Sequence, residues 1–286
     1  GFPTNDTIDF VNIDSTGNAT DFGNLTRGLY LVQATASRTR GLFHGAHSSP
    51  DPTRNNQIEF VTIASTGNAA DFGDLTEQGY GYNSGSSNGV RGLLSILSTS
   101  ADTTNNIINY VTIAQNGNAV DFGDLTIGAY ARKGNVASPV RSCWAGGTDL
   151  TSPTSRVIDY VTISTTGNAA NFGDLTQASR EGTGCSNAVR GFYFSGSGGT
   201  DNQIEAITIA TLGDALDFGD LTYSAEAAGG GASPTRAISA GGTDSGGKNI
   251  IDYFSIMTTG NAVDFGDRTV ALYGAGCASN GHGGLG

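Results

Sequence analysis

One ten-residue phrase, Gly-Asn-Ala-x-Asp-Phe-Gly-Asp-Leu-Thr, recurs six times with small changes along the chain. Its Phe falls at Phe22, Phe72, Phe122, Phe172, Phe218 and Phe265, so successive spacings are 50, 50, 50, 46 and 47 residues. A unit of this length buries its apolar faces against its neighbours, as propellers and solenoids do. Six such units account for the 286 residues, so residues 1–286 read as a single repeat domain with no second domain beside it.

Inside a unit every segment reads as β. Ile58–Ile63, Ile108–Ile113 and Ile158–Ile163 are rich in β-branched and aromatic residues. Gly67-Asn68, Gly117-Asn118 and Gly167-Asn168 follow as hairpin turns, and the Phe-bearing strand returns. A Gly/Ser/Asn-rich stretch then leads to a short apolar strand headed by Arg, as in Arg40-Gly41-Leu42-Phe43 and Arg190-Gly191-Phe192-Tyr193. Four short strands per unit is the content of one propeller blade. The 44 glycines count against helical bundles, and they do not recur every third residue as collagen requires. No stretch approaches the 18 apolar residues of a membrane-spanning helix, and no membrane insertion is expected.

An Arg-led strand ending in Gly-Gly, as at Gly146-Gly147 and Gly241-Gly242, is followed by a Tyr/Phe-bearing strand and then by an aromatic-Gly-x-Leu strand. This order resembles the kelch repeat, with Phe172 and its equivalents in the place of the kelch Trp and Tyr160 and its equivalents at the kelch Tyr. More narrowly, the phrase Tyr-Val-Thr-Ile-x-x-x-Gly-Asn-Ala-x-Asp/Asn-Phe-Gly-Asp-Leu-Thr is similar to repeats in virion structural proteins of marine bacteriophages, cyanophages among them. The resemblance implies a particle-surface protein.

The chain opens inside a repeat, with Ile8 to Ile13 as a third-type strand, and closes on Gly281-His282-Gly283-Gly284-Leu285-Gly286, which aligns with the Arg-led strand. The expected architecture is therefore a six-bladed kelch-like β-propeller, all-β, with four antiparallel strands per blade. Its ring is closed by N- and C-terminal strands that share one blade, which leaves only short, protected edges.

Residues repeated in every copy read first as architecture: the six Phe as packing between blades, and the Asp after Phe-Gly as a turn residue accepting backbone N–H groups. The Arg heading the second strand (Arg40, Arg91, Arg141, Arg190, Arg236, with His282 in the sixth place) reads as an ion pair or a carbonyl cap between blades. The functional alternative for these Arg is a cationic ring for an acidic glycan. The position eight residues past each Phe holds Tyr30, Tyr80, Tyr130, Arg180, Glu226 and Tyr273 on the connection to the next blade. Those six are the candidate ligand-binding residues, since connecting loops at one end of a propeller carry ligand surfaces and Tyr suits sugar rings or protein partners. Packing over the ring is the alternative role for the Tyr.

Lys+Arg 14 against Asp+Glu 26 gives a net charge of −12, which repels phosphate; nucleic acid is not an expected partner. With three His and no nucleophile elbow, no catalytic residue, cofactor or metal is assigned. Three Cys imply free thiols rather than a disulfide framework. The expected function is a non-enzymatic fibre, tail or decoration module on a virion surface. It would adhere to a host-surface glycan or protein, or dock to other virion structural proteins. An extracellular carbohydrate-active propeller enzyme and an intracellular kelch-type scaffold are the alternatives.

Overall fold

The structure, a computed structural model, describes residues 5–45, 47–48, 55–79, 81, 84–97, 104–129, 131–132, 134–149, 154–198 and 202–280. The described residues form 23 strands and no helix. Twenty of the strands make five four-stranded antiparallel sheets, arranged around an axis as a β-propeller.

In each of these blades, spatial order follows chain order from an inner strand through second and third strands to an outer one. Blade 1 is Gln33–Ala36, Arg40–His44, Asn55–Thr62 and Ala70–Gly79; blade 2 is Ser84–Ser87, Arg91–Ile96, Asn105–Thr112 and Val120–Ala129. Blade 3 is Gly134–Ala137, Arg141–Ala145, Ser155–Thr162 and Ala170–Ser179; blade 4 is Thr183–Ser186, Arg190–Phe194, Gln203–Thr208 and Leu216–Asp220. Blade 5 is Gly229–Ala232, Arg236–Ala240, Lys248–Ser255 and Val263–Leu272. The inner strands meet around the axis, close enough that a Cβ on Gly134 would strike the Thr183 backbone and one on Gly184 the Asn135 carbonyl.

The expectation of six complete blades is corrected: the described residues form five. The remaining sheet has three strands, in which Asn5–Phe10 pairs with Thr20–Tyr30, and His47–Ser48 adds at Leu29 and Tyr30. The expected closure by a C-terminal strand falls on residues 281–286, outside the described residues. Residues 275–280 run beside the inner strands, Ser279 Oγ donating to the Ala232 carbonyl at 2.7 Å, but they form no strand. An inner strand gets its ladder from the second strand outside it, and residues 281–286, which align with that strand, lie outside the described residues.

The repeated phrase builds the joints between sheets. The Gly67 N–H donates to the Phe22 carbonyl and the Ala69 N–H to the Asn24 carbonyl, both at 2.8 Å, while Asn68 Oδ1 accepts from the Asn24 N–H at 3.1 Å. The same clasp joins each sheet to the next. It also spans the two ends of the chain, from the Gly17 N–H to the Phe265 carbonyl at 2.9 Å and from the Ala19 N–H to the Asp267 carbonyl at 2.7 Å. The Gly of Phe-Gly is required there: a Cβ on Gly23 would run into the Gly67 carbonyl, and one on Gly266 into that of Gly17.

Three further repeated features lock the joints. Phe72, Phe122, Phe172 and Phe265 each meet the aromatic of their own third strand edge-on, with centroids 5.9–6.1 Å apart. In blade 4, where Ala206 stands in that place, Phe192 takes over at 5.0 Å from Phe218. Arg91 Nη1 donates to the Ile163 carbonyl of the next blade at 2.8 Å while its guanidinium lies 4.4 Å over the Tyr110 ring. Arg40, Arg141, Arg190 and Arg236 cap Ile113, Ile209, Ile256 and Ile13 likewise, so the Arg are carbonyl caps.

Lastly, the Thr that ends the phrase is held by an acid or amide of the following third strand. Thr176 donates from N and Oγ1 to Glu205 Oε1 at 2.6 Å each, and Thr222 from the same atoms to the two Asp252 oxygens at 2.7 and 2.8 Å. Thr269 makes the matching bonds to Asp9 across the ends of the chain. The Asp after Phe-Gly is not a turn residue. Asp74 lies in the outer strand and takes part in the clasp through its backbone.

Candidate functional site

Each outer strand hands the chain to the next inner strand at one face, around the mouth of the axial channel. Nine residues past the Phe, the backbone turns to positive φ in every copy: Leu31 (59°), Gly81 (128°), Ala131 (52°), Glu181 (55°), Ala227 (51°) and Gly274 (73°). This conformation is unfavourable for residues with a Cβ, and it is held here by the surrounding packing. Hydrogen bonds link the residues into an arc: Glu181 N–H to the Ala131 carbonyl at 3.0 Å, Ala227 N–H to Glu181 at 2.6 Å, and Gly274 N–H to Ala227 at 2.8 Å.

Behind this arc the channel encloses about 110 Å³ between the inner strands. Its wall is small and polar, with Thr35, Ser86, Asn135 and Thr183 among the lining residues. Thr35 Oγ1 and Asn135 Nδ2 are buried without a partner among the described residues, so the lumen offers polar groups to water or a small polar ligand.

The candidate residues divide into two groups at the mouth. Tyr80 and Tyr130 lie outside the described residues. Tyr30 ends its strand only 7% exposed, packed edge-on against half-buried Tyr273 with centroids 5.3 Å apart. Tyr30 is buried packing, the alternative role read for these Tyr, whereas Tyr273 keeps part of its surface exposed.

Arg180 and Glu226 converge on a residue missed in the sequence, Glu181. Arg180, with 39% of its side chain exposed, lies 3.6 Å from Glu181 Oε1, and its Nε donates to Ser197 Oγ at 3.3 Å. Burial pushes the Glu181 carboxyl above the usual carboxylate range; Arg180 opposes this, while the hydrogen-bonded Glu226 carboxyl beside it adds to it. The cluster offers hydrogen bonding: a guanidinium and two carboxyl groups side by side at the rim.

A second charged pair was also hidden in the sequence. Arg132, one residue past the turn at Ala131, reaches Asp159 Oδ2 at 3.0 Å with neither side chain exposed. Burial pulls the Arg132 guanidinium down from its ordinary value and Asp159 holds it up. Asp159 also accepts from Thr126 Oγ1, so this pair thickens one joint of the ring rather than adding to the rim. Among the described residues no group of three His, Cys, Asp or Glu could hold a metal ion, and the three Cys are free thiols. No family profile matches the chain, and no curated protein matches its sequence.

Proposed function

We propose that the chain is a non-enzymatic binding module carried on a virion surface, as part of a fibre, tail or decoration. Its ligand is a host-surface glycan or protein, taken at the channel mouth around Arg180, Glu181, Glu226 and Tyr273. One observation carries this reading. The residues that repeat from copy to copy are spent on joints between sheets, whereas the rim position changes from Tyr to Arg to Glu. A constant frame with a varied rim is how one scaffold supports altered recognition. Arg180 and the Glu181–Glu226 pair provide donors and acceptors for hydroxyls, and the half-buried Tyr273 ring adds an apolar face.

The virion placement rests on the likeness of the repeated phrase to phage structural repeats, and the kelch-like assignment on the order of its strands. The net charge of −12 limits non-specific adhesion to anionic envelopes and favours a ligand held by hydrogen bonds. The test is binding of the purified chain to host cells and to their isolated surface polysaccharide, with Arg180→Ala alongside. Retention without turnover and a loss of at least about tenfold in affinity for the variant are expected. Release of sugar from the polysaccharide would replace the binding module with an enzyme, and absence of the chain from purified virions would remove the placement.

A further inference from the structure

Each complete blade has four antiparallel strands, so the turns from inner to second strand and from third to outer strand lie at the end of the ring opposite the mouth. Two adjacent blades gather large apolar side chains at that end. Val189, Leu212 and Leu216 of blade 4 and Met257 and Val263 of blade 5 are 49–71% exposed. Two of them depart from the repeat: the position of Leu212 holds Thr or Asn in the other five copies, and that of Met257 holds Asp, Ala or Ser. No joint requires either residue to be large.

The bonds between blades 4 and 5 make this one surface. Arg190, which follows Val189, donates to the carbonyl of Ile256, which precedes Met257, at 3.0 Å. The Gly260 N–H of the blade 5 hairpin donates at 2.9 Å to the Phe218 carbonyl, two residues from Leu216. Leu212 and Leu216 bracket the blade 4 hairpin, and Val263 opens the outer strand of blade 5. Single exposed apolar residues are ordinary, but a contiguous group marks a surface that another molecule covers.

The charges flanking the group say which molecule. On the inner side Arg190 and Arg236 head the second strands, and on the outer side Asp217 and Asp264 stand exposed in the outer strands. Among the described residues none of the four has an ion-pair partner. Each Arg spends Nη1 on a carbonyl, of Ile256 or Ile13, and keeps its other amino group for a partner. An acidic molecule laid here would meet the Asp row, and a basic one the Arg row. A second copy of the same face satisfies both.

We propose that this end of blades 4 and 5 is the interface of a two-fold symmetric dimer of the chain. A two-fold axis lying in the face, between the two charged rows, sets the apolar group of one copy on that of the other. The same rotation brings each copy's Asp row over its partner's Arg row, which is the self-complementarity an isologous contact requires. Burial of Leu212, Leu216 and Met257 supplies the attraction, and the paired rows fix the orientation. Because the interface lies at the end away from the mouth, both mouths of the dimer point outward. The pair then carries two rims, and any ligand repeated on a surface is held by both at once.

The test is the mass of the full chain in solution, by light scattering or sedimentation across the micromolar range, beside a variant combining Leu212→Thr, Leu216→Ala and Met257→Ala. Each change restores a residue that other copies carry at the same place, so the frame is kept. A dimer is expected for the unaltered chain, with a dissociation constant at least about tenfold higher in the triple variant. Asp217→Lys with Asp264→Lys should weaken it too, by setting like charge against the partner's Arg row, while Val120→Ala on blade 2 should leave it unchanged. A chain that stays monomeric throughout overturns the proposal. So does a dimer that neither set of substitutions weakens, since its contact would lie elsewhere on the molecule.

Discussion

The joint between blades 2 and 3 and the seam between blade 5 and the three-stranded sheet use the same backbone clasp, yet they differ in what lies behind it. At the complete joint Leu93, Leu97, Ile108, Trp144 and Ile163 are wholly buried around Phe122. At the seam, among the described residues, the cluster has only Ile238, Ile251 and Phe265 buried, with Val11, Ile13 and Ala19 half-exposed beside them. The hydrogen-bond distances scarcely change, 2.8 Å from Gly167 to Phe122 against 2.9 Å from Gly17 to Phe265. The clasp therefore depends only on the outer strand and the hairpin, and the core depends on the second and inner strands. Directional bonds close the ring, while apolar burial gives each joint its strength.

The sharpest way to break this comparison is at its two equivalent carboxylates. Asp159→Ala should cost about 3–5 kcal/mol in thermal or denaturant unfolding, because it strands the buried Arg132 charge as well as Thr126. Asp9→Ala removes only the bonds from Thr269 at a solvent-exposed joint, so about 0.5–1.5 kcal/mol is expected. Equal losses would mean that the seam is as tightly packed as the complete joints. Arg91→Ala ranks next, at about 1–3 kcal/mol for one carbonyl cap and one cation–π contact.

Much of this frame was legible in the sequence. The period, the strand types and the hairpin turns are local signals, and the Phe and Arg did prove to be joints. The number of complete blades was not legible, since a strand is made by its partner and counting phrases counts only outer strands. The acid ladder was also hidden. Asp9, Glu59, Asn109, Asp159, Glu205 and Asp252 alternate with apolar neighbours and so read as solvent-facing, but a blade is covered on both faces, and all but Asp9 are buried. At the rim, the spacing found Arg180 and Glu226 but not Glu181 between them, nor that Tyr30 turns inward. The only local trace of the positive-φ position is Gly at 81 and 274.

The smallest expected effect concerns pH, and it sets the rim against the joints. The Glu181 carboxyl titrates above its unfolded value, so its ionisation costs the folded state, and stability is lost as pH rises through the raised value. Acidifying from neutral toward the ordinary carboxylate range should therefore raise the unfolding midpoint slightly. Glu181→Gln should reduce that slope. A slope that survives the substitution assigns it to Asp252, whose carboxyl is also raised by burial.

The glycine that lets each hairpin lie flat on the preceding Phe-Gly carbonyl has a consequence for how such chains change over generations. Every unit carries one socket and one plug, and both are made of main chain. Recombination between neighbouring copies can therefore add or delete an entire link, and the new neighbours still mate without compensating substitutions. The circumference is free to vary by whole links, and only the residues that look out from the rim need to be relearned.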